Sequence, residues 1–270
     1  MSKCFITKLP SSVDNDNLPV LGQLRIKWLK QNNLKDNASR GFLLSTNNSI
    51  TVKVSGAHFT DSTLTSNLGN TKIITAADRI VSLYVSNDTD AVLTIDNKYS
   101  LIDLNFVVSG GKEDVERSVY FDIEDIKYCT NLVNLYLNNT QISGDISALS
   151  NMVNLGNLVI TNLFNGDMSK IPASTIFISQ SGATSTTGFT WTAKGRQNAN
   201  VLAIEGPIHF DTVSMDNMLI DQATCTLRAH SDRSWEKIIS VSGTRTSASD
   251  AAVTTLQSKG VTITGVTKVS

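Results

Sequence analysis

The sequence predicts a mainly β protein with some α-helix, in which a small N-terminal β module is followed by an irregular solenoid. The 270 residues are rich in Ser, Thr and Asn and contain four prolines, a composition that favours strands and turns over helices. Residues 20–29 alternate apolar and polar side chains, which is typical of a half-buried strand. An apolar pattern repeats within residues 129–164, which is typical of stacked coils.

Residues 129–164 contain one short pattern twice, with each apolar position shifted by 23 residues. The repeated positions are Leu132, Leu135, Leu137 and Leu155, Leu158, Ile160. A Gly-Asp pair follows each copy, at residues 144–145 and 166–167. The pattern resembles that of the leucine-rich repeat family, L-x-x-L-x-L-x-x-N. This resemblance implies an irregular leucine-rich-repeat solenoid over residues 76–270, clearest in residues 79–180 and weaker to residue 265.

The repeat departs from that family at the buried Asn of each coil. The Asn should stand three residues after the second strand Leu, but Thr140 and Leu163 occupy those positions. Thr140 is expected to replace it as a smaller hydrogen-bonding group, whereas Leu163 cannot. Further apolar pairs continue the register at irregular spacing, among them Phe121/Ile123 and Met218/Ile220.

Residues 1–75 do not fit the repeat and are predicted to form a small β-sandwich-like module. Short strands are expected at residues 20–29, 41–44, 50–54 and 72–74, separated by polar turns. The module serves either as an attachment device or as a cap over the first coil, whose apolar edge is otherwise exposed.

The C-terminal residues are predicted to close the solenoid with a helix followed by a strand. Ser249 or Asp250 is suited to cap a helix over residues 249–260, and Gly260 is suited to end it. The strand is expected at residues 261–264.

Residues 179–200 are the least repetitive part of the chain and are rich in Gly, Ser and Thr. If they form an exposed loop, Phe189 and Trp191 are candidates for a binding tip at its end. In the alternative, the loop folds over the convex side and buries Trp191.

The leucine-rich repeat resemblance also implies which side chains form the concave face. Residues between the apolar positions of each strand point away from the core, because side chains alternate along a strand. The binding candidates on this face are Tyr84, Asn105, Asn134, Tyr136, Asn157, Val159 and Phe177. Tyr and Asn suit recognition, since they combine rigid amphipathic area with adaptable hydrogen bonds. Alternatively, these residues simply tolerate solvent.

Composition and motifs argue against catalysis, cofactors and nucleic acid. The 23 basic and 24 acidic residues nearly balance, so there is no excess of positive charge to neutralise phosphates. No P-loop, nucleophile elbow or metal-binding histidine spacing occurs, so we predict no enzyme activity, no catalytic residue, no cofactor and no metal. Asp122, Glu124 and Asp125 suit a solvated turn or a Ca²⁺ site. Asp211 and Asp216 resemble ordinary turn acids.

Cysteine usage and the N-terminal sequence predict a protein made in a cytoplasm. The first twenty residues lack the apolar run of a signal peptide, and no stretch is apolar enough to span a membrane. Cys4, Cys129 and Cys225 are far apart and are predicted to be free thiols, with Cys129 packed inside a coil.

The whole chain resembles the virion structural and fibre proteins of bacteriophages that infect gut Bacteroidetes. The likeness lies in the ITKLP…DNDNLPVLGQLRI opening, the Ser/Thr/Asn-rich strands and the irregular coils. It implies a non-catalytic head- or tail-fibre or decoration protein of the virion. Residues 1–75 would contact other virion proteins, and the solenoid would meet a host surface protein or glycan. Such fibres are often homotrimers, although no heptad or triple-stranded pattern is present.

Two other classes stay open on the sequence. One is a bacterial leucine-rich-repeat adhesin or protein-interaction module, in the cytoplasm or at the cell surface; an adhesin should carry a secretion signal. The other is a carbohydrate-active β-solenoid enzyme, which should cluster carboxylates beside an aromatic platform.

Overall fold

The computed structural model describes residues 22–29, 40–63, 65–86, 89–106, 119–137, 140–161, 163–180, 186–192, 202–226 and 237–270. The fold in these residues is mainly β with some α, as predicted. The strands are β1 (Leu24–Trp28), β2 (Arg40–Thr46), β3 (Ile50–Ser55), β4 (Phe59–Thr60), β5 (Thr71–Ile74), β6 (Val81–Val85), β7 (Ala91–Ile95), β8 (Leu101–Asn105), β9 (Val119–Tyr120), β10 (Asn134–Tyr136), β11 (Gly144–Asp145), β12 (Asn157–Ile160), β13 (Phe164–Asp167), β14 (Phe177–Gln180), β15 (Thr186–Thr190), β16 (Ala203–Phe210), β17 (Ile238–Arg245) and β18 (Thr262–Lys268). The α-helices are α1 (Thr212–Thr224) and α2 (Asp250–Ser258), and 3-10 helices lie at Lys98–Ser100, Ile123–Ile126, Ile146–Asn151, Met168–Lys170 and Ser247–Ser249.

The N-terminal part contains two sheet regions that contact each other through buried aromatic side chains. The first is an antiparallel sheet in the order β5-β3-β7-β1-β9, and the second pairs β4, β6, β2 and β8 in antiparallel fashion. Trp28 of β1 lies with its ring centroid 6.1 Å from that of Phe42 on β2. The predicted half-buried strand is confirmed, since Leu24, Ile26 and Trp28 are buried while Lys27 is exposed.

Antiparallel pairing continues well beyond the predicted module boundary at residue 75. Strand β7 pairs with both β1 and β3, and β8 pairs with β2. Strands β6 and β7, which the prediction assigned to the solenoid, therefore complete the N-terminal sheets. Strand β8 lies at the junction, because it pairs with β2 on one side and in parallel with β10 on the other. The apolar alternation of β6 and β7 matches that of the later repeats, so the sequence pattern does not distinguish an antiparallel partner from a parallel one.

After β8, every strand except β9 pairs in parallel, and one parallel ladder has the order β8-β10-β12-β14-β16-β17-β18. We call the segment from one of these strands to the next a coil. One apolar position is shared by all seven strands. It is occupied by Leu104, Leu135, Leu158, Ile178, Ile204, Ile239 and Ile263. All of these side chains except Ile263 are fully buried, so they form the spine of the core.

Among the predicted apolar pairs, Phe121/Ile123 and Met218/Ile220 lie outside this stack, as does Leu83/Val85 on β6. Ile123 begins a 3-10 helix, and Met218 and Ile220 lie in α1. Helix α1 starts at Asp211, whose carboxylate accepts a hydrogen bond from the backbone N–H of Ser214 at 2.7 Å. The segment contains two Thr, two Asp, one Asn and one Val, which have modest helix propensity, so the helix depends on packing of its buried methionines against the core.

The predicted C-terminal helix and strand are confirmed. Helix α2 lies within residues 249–260, and Gly260 follows it with a φ of 80°. Strand β18 covers most of the predicted strand and extends to Lys268. Ser249 stands at the N-cap position, but its hydroxyl donates to Asp216 at 2.5 Å instead of capping the helix.

A second parallel ladder runs beside the first. It joins β11, β13 and β15 to the C-terminal halves of β16, β17 and β18, so these last three strands take part in both ladders. Each of the three bends at a glycine with positive φ. At Gly243 (φ 145°) a Cβ atom would lie 2.3 Å from the carbonyl oxygen of Phe210, so a side chain would prevent this close approach of successive coils.

Polar side chains that precede the strands connect successive coils. Asn131 and Asn154 each donate an amide hydrogen to a backbone carbonyl of the preceding coil, at 2.7 Å in both cases, and the Ser174 hydroxyl does so at 2.9 Å. After the strands, Thr140 donates to a buried carbonyl at 2.8 Å, as predicted, and Leu163 is 39% exposed. The asparagine contacts therefore lie at the entry to each strand, not at the exit where the family pattern places them.

Candidate functional site

The residues that face away from the core on β8, β10, β12 and β14 form one continuous surface. The strand register places them in two rows across the sheet. The first row is Asp103, Asn134, Asn157 and Phe177, and the second row is Asn105, Tyr136, Val159 and Ser179. All eight are partly exposed, whereas the leucine and isoleucine between them are fully buried. We call these eight residues the outer ladder face.

The outer ladder face contains six of the seven predicted concave-face residues. The exception is Tyr84, which lies on β6 opposite Gly41 and Thr60, in the antiparallel region. The prediction missed Asp103 and Ser179. Both follow the same alternation as their neighbours, since each stands two residues from a predicted site residue, so the period-two pattern was a sufficient signal for them.

Hydrogen bonds connect the first row along the stack. The amide of Asn157 donates to Asn134 Oδ1 at 2.6 Å, and the amide of Asn134 donates to Asp103 Oδ1. The hydroxyl of Ser45, on the neighbouring strand β2, donates to the other carboxylate oxygen of Asp103. Both amides donate in the same direction, towards Asp103. The row therefore holds each carboxamide in one orientation, which pre-organises it for recognition.

The second row is dominated by the ring of Tyr136. Burial raises the pKa of Tyr136, and the nearby negative charge of Asp103 raises it further, so the phenol stays protonated at neutral pH. Asn105 and Val159 flank it on strands that lie about 4.8 Å away on either side. A flat ring with a hydroxyl donor, set among amides, suits binding by stacking and hydrogen bonding.

The predicted binding tip at Phe189 and Trp191 is wrong. Phe189 lies in β15 and is 2% exposed, and Trp191 is fully buried. The indole Nε1–H of Trp191 donates to Asp221 Oδ2 at 2.9 Å, and its ring centroid lies 6.5 Å from that of Phe210. The alternative, a buried Trp191, describes the structure. The cause is long-range: a carboxylate on α1 satisfies the indole, so the aromatic pair packs in the core.

Of the acidic residues singled out in the sequence, Asp122, Glu124 and Asp211 make local structural contacts. The expectation of a turn acid is wrong for Asp216, which is buried in α1 and accepts hydrogen bonds from distant residues. Asp122 caps the 3-10 helix Ile123–Ile126 by accepting from the N–H of Glu124 at 2.9 Å, and Glu124 pairs with Lys127 at 2.7 Å. Asp211 caps α1. Within the described part of the chain, no group of three or more His, Cys, Asp or Glu side chains is arranged to hold a metal ion.

Cys129 and Cys225 are buried and form no disulfide bond within the described residues, and Cys4 lies outside them. Burial raises the pKa of Cys129 to about 11, against the opposing charge of Lys98. Because the thiolate is the reactive form, we expect Cys129 to resist alkylation in the folded protein at neutral pH and to react fully in denaturant. Peptide mass spectrometry after iodoacetamide treatment measures this for each cysteine separately. Rapid native alkylation of Cys129 would contradict its burial.

Scans against protein-family models, curated proteins and solved structures found no match to this chain. Among the residues that the structure describes, no helix combines the length and the apolar character needed to cross a membrane.

Proposed function

We propose that this protein is a non-catalytic structural and binding protein. It is a virion component of the head- or tail-fibre or decoration type, and the outer ladder face is its interaction surface. The binding role rests on one observation, which is the alignment of polar and aromatic side chains on the outer ladder face. It presents amide, carboxylate, hydroxyl and aromatic groups in register on four adjacent strands, above fully buried apolar residues. The virion assignment is supported by the sequence resemblance.

We further propose that the parallel stack is an irregular leucine-rich-repeat solenoid. The 23-residue step from Leu135 to Leu158 supports it, because these two residues are direct partners in neighbouring strands. The amide hydrogen bonds from Asn131 and Asn154 to the preceding coil also support it, since such contacts satisfy backbone carbonyls where a solenoid turns.

The binding role predicts that Tyr136→Lys weakens attachment of the purified protein to host cells. Tyr136 lies between Asn105 and Val159 in the second row and beside Asn134 of the first row, and central aromatic residues dominate the energetics of most interfaces. We expect a loss of about 2 kcal/mol, or about 30-fold in Kd, measured with fluorescently labelled protein on cells of the host bacterium. Thr51→Lys is the matched control, because Thr51 is a partly exposed strand residue on the separate five-stranded sheet.

The virion role is tested separately, by mass spectrometry of gradient-purified particles. We expect the chain to co-purify with particles in a fixed stoichiometry. Its absence from particles would contradict the virion assignment but leave the binding role standing. Equal loss of cell binding in the Tyr136 and Thr51 variants would contradict the role of the outer ladder face. Thermal unfolding of both variants checks that the substitutions leave the fold intact.

A further inference from the structure

The last strand of the parallel stack, β18, has an open edge. Among the described residues it pairs with β17 on one side and with no strand on the other. The other strands at the ends of the sheets are short: β4, β9 and β11 have two residues each and β5 has four, whereas β18 has seven. Proteins commonly keep edge strands short to prevent pairing with other chains, so β18 is the exception in this fold.

Apart from its bend at Gly265 and its terminal Lys268, strand β18 also lacks the other features that protect an edge. Five of its seven residues are exposed, and its sequence, TITGVTK, contains no proline. Its one charged residue, Lys268, stands at its end and forms an ion pair with Asp250 at 2.6 Å. Three exposed threonines occupy the strand, and β-branched side chains are favourable in cross-strand pairs. Ile263 and Val266 pack against the core but are only partly buried, so a further strand would cover them.

We propose that β18 is a self-association edge, which pairs in antiparallel fashion with β18 of a second copy of this chain. The strand bends at Gly265 (φ 75°), with three residues on either side of the bend. A two-fold axis through the bend therefore matches the bent strand with its own reversed copy, which is the geometry of an isologous dimer. Centred there, the pairing brings Lys268 near Thr262 and Ile263 of the second copy. The two lysines stay at opposite ends, and like charges do not face each other.

A second copy of this chain is a better partner for β18 than an unrelated peptide, because the strand is complementary to its own reversed copy. A seven-residue edge contributes less than the area of a standard protein–protein interface, so the dimer is weak and reversible. The dimer extends the two ladders of one copy into those of the other. The outer ladder face lies on β8 to β14, away from β18 in the strand order, so association leaves the proposed binding surface open.

Sedimentation velocity of the full chain over a wide range of concentrations tests the proposal. We expect a monomer–dimer equilibrium, and hydrogen exchange should show protection of the β18 amides that rises with the dimer fraction. Thr264→Lys places two like charges at the paired edge and should raise the dimer Kd by about tenfold or more. Thr262→Lys, at an equally exposed position of the same strand, should act in the same direction.

Ser179→Lys is the matched control, because Ser179 lies in the same cross-strand row as Thr264 but on β14, which is paired on both sides. It should leave the Kd unchanged. A monomer at every concentration overturns the proposal. So does a dimer that Thr264→Lys and Thr262→Lys leave intact, or one that Ser179→Lys weakens equally, since either shows association through another surface.

Discussion

Replacing Trp28 with alanine should lower the free energy of unfolding by about 3–5 kcal/mol, the range found when large aromatic side chains are removed from a core. Trp28 is 1% exposed and contacts Phe42 and Phe106, with ring centroids 6.1 and 6.3 Å away. These rings join the five-stranded sheet to the sheet that continues into the parallel stack. The cavity left by alanine therefore opens at the junction of the two sheets, where neither sheet can collapse without breaking strand pairing.

Urea denaturation followed by circular dichroism measures the effect of Trp28→Ala. Lys27→Ala is the control, since Lys27 lies on the same strand with its side chain exposed, and we expect a change within about 0.5 kcal/mol. A loss below about 1 kcal/mol in Trp28→Ala would contradict the assignment of this side chain to the contact between the sheets.

Replacing Asp216 with alanine should cost about 3 kcal/mol, because it removes the acceptor from a buried hydrogen-bond network. Asp216 lies in α1 and is 8% exposed. Its carboxylate accepts from the N–H of Thr246 at 3.1 Å, from the Thr246 hydroxyl at 2.7 Å and from the Ser249 hydroxyl at 2.5 Å. These donors lie just before α2, so this carboxylate connects the two helices.

The contribution of Asp216 should depend on pH in a defined direction. Burial opposes its ionisation, but the hydrogen bonds from Ser249 and Thr246 outweigh burial and hold its pKa below the ordinary value of 3.8. The unfolded chain therefore takes up this proton first as pH falls. The stabilisation is complete well above pH 3.8 and is lost as pH falls through the lower pKa of the folded protein.

Urea denaturation of the native protein and Asp216→Ala across a pH series tests both parts of this prediction. The difference in unfolding free energy should be constant near neutral pH and shrink in acid. Asp211→Ala is a graded control: Asp211 is exposed and caps α1 through one hydrogen bond to Ser214, so we expect a loss of about 1 kcal/mol. If the difference in unfolding free energy between the native protein and Asp216→Ala stayed constant into strong acid, the folded protein would not favour the ionised carboxylate.

Local periodicity in the sequence is enough to predict several features of this fold. The alternation in residues 20–29 identified β1, and the 23-residue offset identified Leu135 and Leu158 as equivalent positions before any pairing was known. The repeated Gly-Asp pairs also have a local cause, because Asp145 and Asp167 each cap a 3-10 helix. The same alternation located most of the outer ladder face. Each of these signals lies within one continuous stretch of sequence, so no distant partner is needed to detect it.

Other features depend on partners that are distant in the chain and emerge only in the folded protein. Strands β6 and β7 carry the same apolar pattern as the later coils, and their antiparallel partners β1 to β3 placed them in the N-terminal sheets. Helix α1 forms in a segment of modest helix propensity, and burial of its apolar side chains against the core decides its conformation. Trp191 is buried because Asp221, thirty residues later, accepts its indole hydrogen bond. Each of these features depends on a contact between residues far apart in the chain. The local sequence pattern does not encode which distant group will form a hydrogen bond with a polar atom or cover an apolar surface.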